Sequence, residues 1–303
     1  MDTELNTVRR YGFTPILGWS VSRYDNFSGC KRRYYYDYYG RYDTEFGPAK
    51  ISRLKGMTCI ALETGSIVHD IIKVLLERLL VSEDAVHINR FLDYARRKTG
   101  ERCGVAPFAE VYYKARTAVT GLDIFPAVEA CLKQLMESTR YVWIFDTALR
   151  NKKGWVIEPP GYGETRINGM KAYCKVDFLF PVGEELYIFD WKTGKRDERK
   201  HRKQMLGYAA WASVHCQGRP EQTRPVVAYL NPLYDEFAVT VNEFDLLELT
   251  GIVKSETQEM YALCRDVEKN IPRDKDSFPL IERTGLCRMC NYRELCGRQE
   301  TAV

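Results

Sequence analysis

Apolar and polar residues recur with two different periods along this chain, and the change of period divides it. In 65–82, Val68, Ile71, Ile72, Leu75, Leu76 and Leu79 return at three- and four-residue intervals. That spacing places them on one face of an α-helix. Residues 84–140 keep a mostly helical pattern, interrupted at Gly100, Gly104, Pro107 and Gly121. From 155 to 191 the chain turns β-branched and aromatic, and the runs KAYCKVDFLF and ELYIFDW predict strands joined by a turn. A helix is expected over 197–216, strands over 225–230 and 237–241, and a long helix over 243–268. The tyrosine-rich, basic stretch 20–40 predicts a short helix around Cys30. This order makes an α/β or α+β core, not a bundle or a sandwich.

The two strand runs carry the first chemistry. They meet at Gly183 and Glu184, which suit a two-residue type II′ turn with glycine first. In that register Asp177 faces Asp190, and directly opposed residues lie about 4.5–5.5 Å apart at Cβ. Carboxylates that close repel unless a positive charge stands between them, and hard divalent cations prefer such oxygens. Lys192, two residues on, shares the face of Asp190. Val176, Phe178, Phe180, Tyr187, Phe189 and Trp191 form the opposite, apolar face. Two acids and a lysine suit phosphodiester cleavage, in which a metal activates water and a lysine orients it and offsets charge on the phosphate. A lone D-x-K is more often an ordinary surface pair, so its neighbours matter.

Upstream, His69 follows Gly65-Ser66-Ile67-Val68, and imidazole ligates ions such as Mn²⁺. Downstream, Gln204 and Tyr208 lie one helical turn apart and share a face. Cations cluster between Lys192 and Lys203, which fits phosphate binding, with Lys195, Arg196, Arg199 and Lys203 as candidate DNA contacts. The stretch 31–42 interleaves cations with tyrosines. It could stack single-stranded DNA, but packing in the core is the preferred reading for most of these rings. The tail holds Cys287, Cys290 and Cys296, a spacing typical of metal ligands. A tetrahedral site needs a fourth ligand, and spacing leaves any other cysteine or histidine open.

In this order the motifs resemble those of the RecB-type PD-(D/E)XK nucleases: His69 in GSIVH, Asp177 in KVDF, Asp190 and Lys192 in IFDWKTG, Gln204 and Tyr208 in QMLGY. The resemblance runs from about residue 20 to the C-terminus and leaves out 84–150. It implies a restriction-endonuclease-like α/β fold, a mixed central sheet flanked by helices, in one domain over 1–303 with 84–150 as a helical insertion. It implies Mg²⁺ or Mn²⁺ on His69, Asp177 and Asp190, a catalytic Lys192, and support from Gln204 and Tyr208. Glu158, on the preceding strand, would be an extra acid. The chain is also similar to the iron–sulfur members, the AddB-type recombination nucleases and the CRISPR-adaptation nucleases. That implies a [4Fe–4S] cluster on Cys30, Cys287, Cys290 and Cys296, with 270–303 closing onto Cys30. Zinc suits four cysteines equally well.

Composition changes the picture little. Of 303 residues 45% are hydrophobic and 28% charged, as in ordinary globular proteins. The net charge of +4 is small, so local clustering governs any binding to nucleic acid. No apolar run nears the roughly 20 residues a membrane span needs. The start, MDTELNTVRRYGF, lacks the apolar core of a secretory signal. The expected location is therefore cytoplasmic, with the ten cysteines reduced or bound to metal. Lys192-Thr193-Gly194-Lys195 lacks the upstream glycine of a P-loop, so any helicase partner is expected to be a separate chain; an integrase is the other partner protein considered. The expected activity is that of a DNA nuclease, an exonuclease on single strands or DNA ends, in repair, recombination or CRISPR adaptation. The rival is a non-catalytic module that binds DNA or a partner.

Overall fold

The computed structural model describes residues 8–82 and 84–298. The remaining positions of the expected 1–303 domain and of the 270–303 segment lie outside the described residues. Helices α1 (Val21–Gly29), α2 (Lys31–Tyr39) and α3 (Pro48–Lys55) lead to the long α4 (Ile60–Val81). Four more follow: α5 (Ile88–Cys103), α6 (Ala109–Tyr112), α7 (Gly121–Met136) and α8 (Thr139–Thr147). Strands β1 (Val156–Ile157), β2 (Glu164–Ile167), β3 (Met170–Tyr173), β4 (Phe178–Val182) and β5 (Glu185–Lys192) come next. After α9 (Glu198–His215), β6 (Thr223–Tyr229) and β7 (Asp235–Ala238) complete the central sheet. Helix α10 (Glu243–Tyr261) precedes the small strands β8 (Cys264–Asp266) and β9 (Ile271–Pro272).

The central sheet has the order β1-β4-β5-β6-β7. It is mixed: β5 and β6 run parallel, and the other pairs are antiparallel. A parallel pair needs a crossover, and α9 supplies it. The β4–β5 register pairs Val182 with Glu185 and Phe178 with Phe189, as the turn at Gly183 predicts. Gly183 takes φ 60°, the value its first central position requires.

Both faces of the sheet are buried. Phe178, Phe180, Phe189 and Trp191 join one cluster with Ile71, Leu75 and Leu79 of α4 and with Ile124, Val128 and Leu132 of α7. Leu179 and Ile188 join a second cluster with Trp19, Tyr34, Met205, Trp211 and Val253. The acidic face is therefore a core face too, with its carboxylates at one end. Residues 88–147 are helical, as expected, and they bury one side of the sheet rather than stand apart from it.

Several expected boundaries move, each for a visible reason. The stretch 20–40 divides at Cys30, whose extended backbone (φ −162°, ψ 110°) caps α2. The predicted run over 171–180 breaks between β3 and β4. The hydrogen bonds of β3 go to β2 and to Trp19, not to the central sheet. The break is held at Gly163, where an added Cβ would lie 2.1 Å from the carbonyl oxygen of Cys174. The helix expected over 243–268 ends at Tyr261, and the β8–β9 hairpin follows, with Asn270 at φ 52° in its turn. Helix α4 begins at Ile60, earlier than its apolar stripe shows, so His69 sits in mid-helix.

Candidate active site

Four elements converge on two aspartates. Asp177 lies in the bend just before β4, one step outside the ladder. Its backbone oxygen accepts from the Glu158 amide at 3.1 Å, and its Oδ2 accepts from the Trp191 amide at 3.0 Å. The side chain thus accepts a hydrogen bond from the β5 backbone, which fixes it beside Asp190. Asp190, on β5, is 1% exposed. Its Oδ1 accepts from Tyr208 Oη at 3.0 Å and from Gln204 Nε2 at 3.1 Å, both on α9. Gln204 Nε2 also donates to Tyr208 Oη at 2.6 Å. Lys192 Nζ stands 2.5 Å from Asp190 Oδ2. His69 reaches in from α4, with Nδ1 3.2 Å from Asp177 Oδ2.

These residues are separated widely along the chain, and ordinary packing brings them together. Gly65 of α4 lets the helix approach Thr193, because a Cβ there would lie 3.1 Å from Thr193 Oγ1. Gly207 of α9 lies against Cys174, so the helix seats closely over the β3–β4 break.

The electrostatics follow from burial and neighbours. Burial pushes the Asp190 carboxyl above its ordinary range, and the charge of Asp177 adds to this, against the pull of Lys192. Asp177 goes the other way: burial opposes ionisation, but His69 and Lys192 hold its carboxyl below the usual range. His69 is pushed up to about 9, since Asp177 outweighs a burial that would lower it. Tyr208 is held well above its ordinary value by burial and by Asp190, so its hydroxyl keeps its proton and donates.

The donor set suits a hard divalent cation. Asp190 Oδ2 is buried, and its partner is the Lys192 ammonium. Two buried carboxylates and an imidazole offer oxygen and nitrogen ligands of the kind Mg²⁺ or Mn²⁺ takes. As they stand, no three His, Cys, Asp or Glu side chains among the described residues are arranged to hold an ion. Glu158 is committed elsewhere: its carboxylate pairs with Lys73 at 3.1 Å and with Lys175 at 3.2 Å.

The basic cluster before and along the start of α9 is less free than its sequence suggests. Arg196 pairs with Asp235 and with Glu198, and Lys203 pairs with Glu256 at 2.9 Å. Lys195 and Arg199 are exposed. A cleft of about 950 Å³ opens instead on the side where Lys192, Gln204 and Tyr208 point. It is lined by Arg23, Lys55, Lys175 and Lys200, with no aspartate or glutamate among the lining side chains. Tyr162 also lines it and is 75% exposed. It lies between Gly161 and Gly163, and all three backbones are left-handed (φ 66°, 59° and 67°). For a non-glycine residue that conformation costs about 1–2 kcal/mol. Sequence reasoning missed Tyr162. The flanking glycines and the preceding Pro159-Pro160 were the available signal.

The four candidate cluster cysteines occupy one corner. Cys30, Cys287 and Cys290 line a cavity of about 240 Å³. Burial pushes the Cys290 and Cys296 thiols up to about 11, and Cys30 is among the neighbours felt by both. The Arg33 amide donates to Cys30 Sγ at 3.5 Å, and the Arg298 guanidinium donates to Cys287 Sγ at 3.3 Å. No disulfide forms among the described residues. Of the tyrosines in 31–42, Tyr34, Tyr35, Tyr36 and Tyr39 are buried and Tyr38 and Tyr42 partly exposed, so the core reading holds for most. Among the described residues no helix is long and apolar enough to cross a membrane.

A mixed sheet flanked by helices, with two acids and a lysine at the end of a hairpin, defines a restriction-endonuclease-like protein. The family model of the PD-(D/E)XK nuclease superfamily matches residues 18–297, and the chain belongs to that superfamily. It is thus a nuclease, a phosphodiester hydrolase, of a superfamily that uses divalent metals. Among solved structures, a candidate exonuclease from Eubacterium rectale is similar at 15% identity and TM-score 0.44, over 91% of this chain and 87% of that one. The protein SSO0001 is similar at 14% identity and TM-score 0.32, over 71% of this chain and 98% of that one. Both are too distant to bear on activity. No curated protein sequence matches the chain.

Proposed function

We propose that this protein is a divalent-metal-dependent DNA nuclease acting as an exonuclease on single strands or DNA ends. One observation carries the reading. Lys192, Gln204 and Tyr208 meet on Asp190 while His69 meets Asp177, so four side chains from α4, β5 and α9 serve two acids. Asp177, Asp190 and His69 would hold Mg²⁺ or Mn²⁺, which supplies Lewis acidity and an activated water. Gln204 and Tyr208 fix the Asp190 carboxylate by donating two hydrogen bonds to Oδ1, while Oδ2 faces Lys192, which a metal ion would displace. Lys192 stands at the mouth of the cleft, where its ammonium can bind the scissile phosphate and offset charge that develops on it. The exonuclease form of the proposal rests on the resemblance, which associates the helix histidine with that branch.

The same proposal places a [4Fe–4S] cluster on Cys30, Cys287, Cys290 and Cys296, with zinc as the rival. N–H donors reach Sγ of Cys30 and of Cys287, an arrangement that recurs around metal-bound sulfur. A cluster would tie 270–303 to the cap of α2 within a single nuclease domain, with 84–150 as an insertion that also serves the core.

The test is cleavage of end-labelled single-stranded DNA by anaerobically purified protein, in Mn²⁺ and in EDTA, with Asp190→Ala alongside. Metal-dependent degradation from an end, lost in the variant, is the expected result. A folded, DNA-binding protein that never cuts would replace the enzyme with a non-catalytic module.

A further inference from the structure

The cleft beside Lys192 shows a strained aromatic residue for which packing gives no reason. Tyr162 is largely exposed, so its ring is not held by a core. Its left-handed backbone is one that tyrosine takes rarely, and such outliers persist where the surroundings over-determine them. Here the surroundings are explicit. Gly163 is pressed against the backbone of Cys174, and the Cys174 amide donates to the Gly163 oxygen at 3.0 Å. Cys174 in turn abuts Gly207 of α9, the helix that carries Gln204 and Tyr208. The turn that presents Tyr162 is therefore anchored to the helix that orients Asp190.

The rest of the cleft gives the ligand its chemistry. Lys55, Lys175, Lys192 and Lys200 line it, as does Tyr38, with Arg23 stacked 4.1 Å over its ring. Ammonium groups along a groove with an open aromatic face are what a flexible polyanion with planar bases needs. Along a duplex the bases stay stacked inside, so such a ring meets one only at a terminal pair, whereas a single strand offers them throughout. Lys175 and Lys200 are paired, with Glu158 and Asp25, and these carboxylates would be displaced partners when phosphates arrive.

We infer that Tyr162 is a base-stacking platform that selects single-stranded DNA and guides the strand along this lysine-lined cleft to Lys192. The inference rests on the nuclease reading for its direction but not for its test, which needs no cleavage.

The experiment is fluorescence anisotropy of a labelled 20-nucleotide single strand and of a blunt duplex of equal length. Both are titrated in EDTA with wild type, Tyr162→Gly, Tyr162→Phe and Asp190→Ala. Removing one stacked base contact should weaken single-strand binding about tenfold in Tyr162→Gly. Tyr162→Phe keeps the ring and should bind within about twofold of wild type. Duplex binding should be unchanged in both. Tyr162→Gly suits the left-handed backbone, so its melting temperature should equal or exceed that of wild type, which separates lost stacking from lost fold. Equal single-strand binding by Tyr162→Gly and wild type would overturn the inference, even if Mn²⁺-dependent cleavage sensitive to Asp190→Ala is intact. Tyr162-dependent binding by a protein that never cuts would keep the cleft and remove the nuclease instead.

Discussion

The two candidate metal-binding regions are built in opposite ways. The aspartate site stands on regular structure: β5, two long helices and a bend locked to the Trp191 amide. Its side chains are held by hydrogen bonds and ion pairs of their own, and two cores bury the hairpin beneath it. The cysteine corner stands on short 3₁₀ turns, Thr284–Met289 and Arg293–Cys296, joined to a helix cap 250 or more residues away. Its neighbours include the exposed Leu286 and Met289. The difference teaches where a bound group does structural labour. A site on β-strands and helices keeps its shape without a ligand, whereas sulfur ligands on isolated turns depend on what they bind.

The largest expected effect breaks the two regions apart. Asp190→Asn should reduce cleavage by at least about 10³-fold, as loss of a central catalytic group does. Its melting temperature in EDTA should change little, because the lost ion pair with Lys192 is offset by removal of a carboxylate whose charge is opposed by burial and by Asp177. Turnover near wild type would remove Asp190 from the site, and a collapse in melting temperature would make it structural.

Next in size is Cys290→Ala. It should abolish any visible absorption and lower the melting temperature by roughly 5–10 °C, since metal binding at such sites is coupled to folding. Limited proteolysis should then cut within the 284–298 turns first. If the regions are as independent as their construction suggests, residual Mn²⁺-dependent cleavage should survive. An unchanged spectrum and melting temperature would refute the metal cluster.

What could be read in advance follows the same division. The hairpin was legible because a turn with glycine at its first position fixes the register, and register fixes which residues face each other. Helix α9 was legible because Asp197 and Cys216 bound its hydrophobic pattern, and both prove to be its caps. The meeting of His69 with Asp177 was legible as a motif order, not as geometry, since nothing local in α4 says which strand it packs on. The broken β3–β4 run and Tyr162 were not legible. Both depend on a backbone crossing between Gly163 and Cys174, a contact that residue periodicity does not encode. The basic patch misled for a similar reason: Asp235, Asp245 and Glu256, which partner Arg196, Arg202 and Lys203, come from later in the chain.

A smaller effect sharpens the account of the aspartate site. Tyr208→Phe removes one of two hydrogen bonds on Asp190 Oδ1 and leaves that of Gln204. A hydrogen bond to a charged group is worth about 1.5–3 kcal/mol. With Gln204 still in place, a loss of about tenfold in kcat is expected, with KM little changed. Steady-state kinetics on a single-stranded substrate decide it. A change confined to KM would move Tyr208 from carboxylate positioning to strand binding.

The smallest effect concerns a second histidine near the site, and its sign is opposite to that of His69. His201, in the first turn of α9, is pushed down to about 4 by burial, with help from Lys192 and Lys200 and against Asp197. Its Nδ1 lies 2.6 Å from Tyr229 Oη. The folded value lies below the ordinary 6.5, so the folded state favours the neutral ring. Stability from this group is complete above pH 6.5 and is lost progressively as pH falls towards 4, where the unfolded chain takes up the proton first. The full shift would correspond to about 3 kcal/mol, and partial solvation should leave about 1–2. His215, also pushed down by burial, adds to the same slope. His201→Asn keeps a polar group near Tyr229 and does not titrate, so melting temperature plotted against pH from 7 to 4 should be shallower in the variant. Parallel curves would mean that His201 ionises freely in the folded state, and the acid-sensitive step would then belong to the carboxylates and to His215.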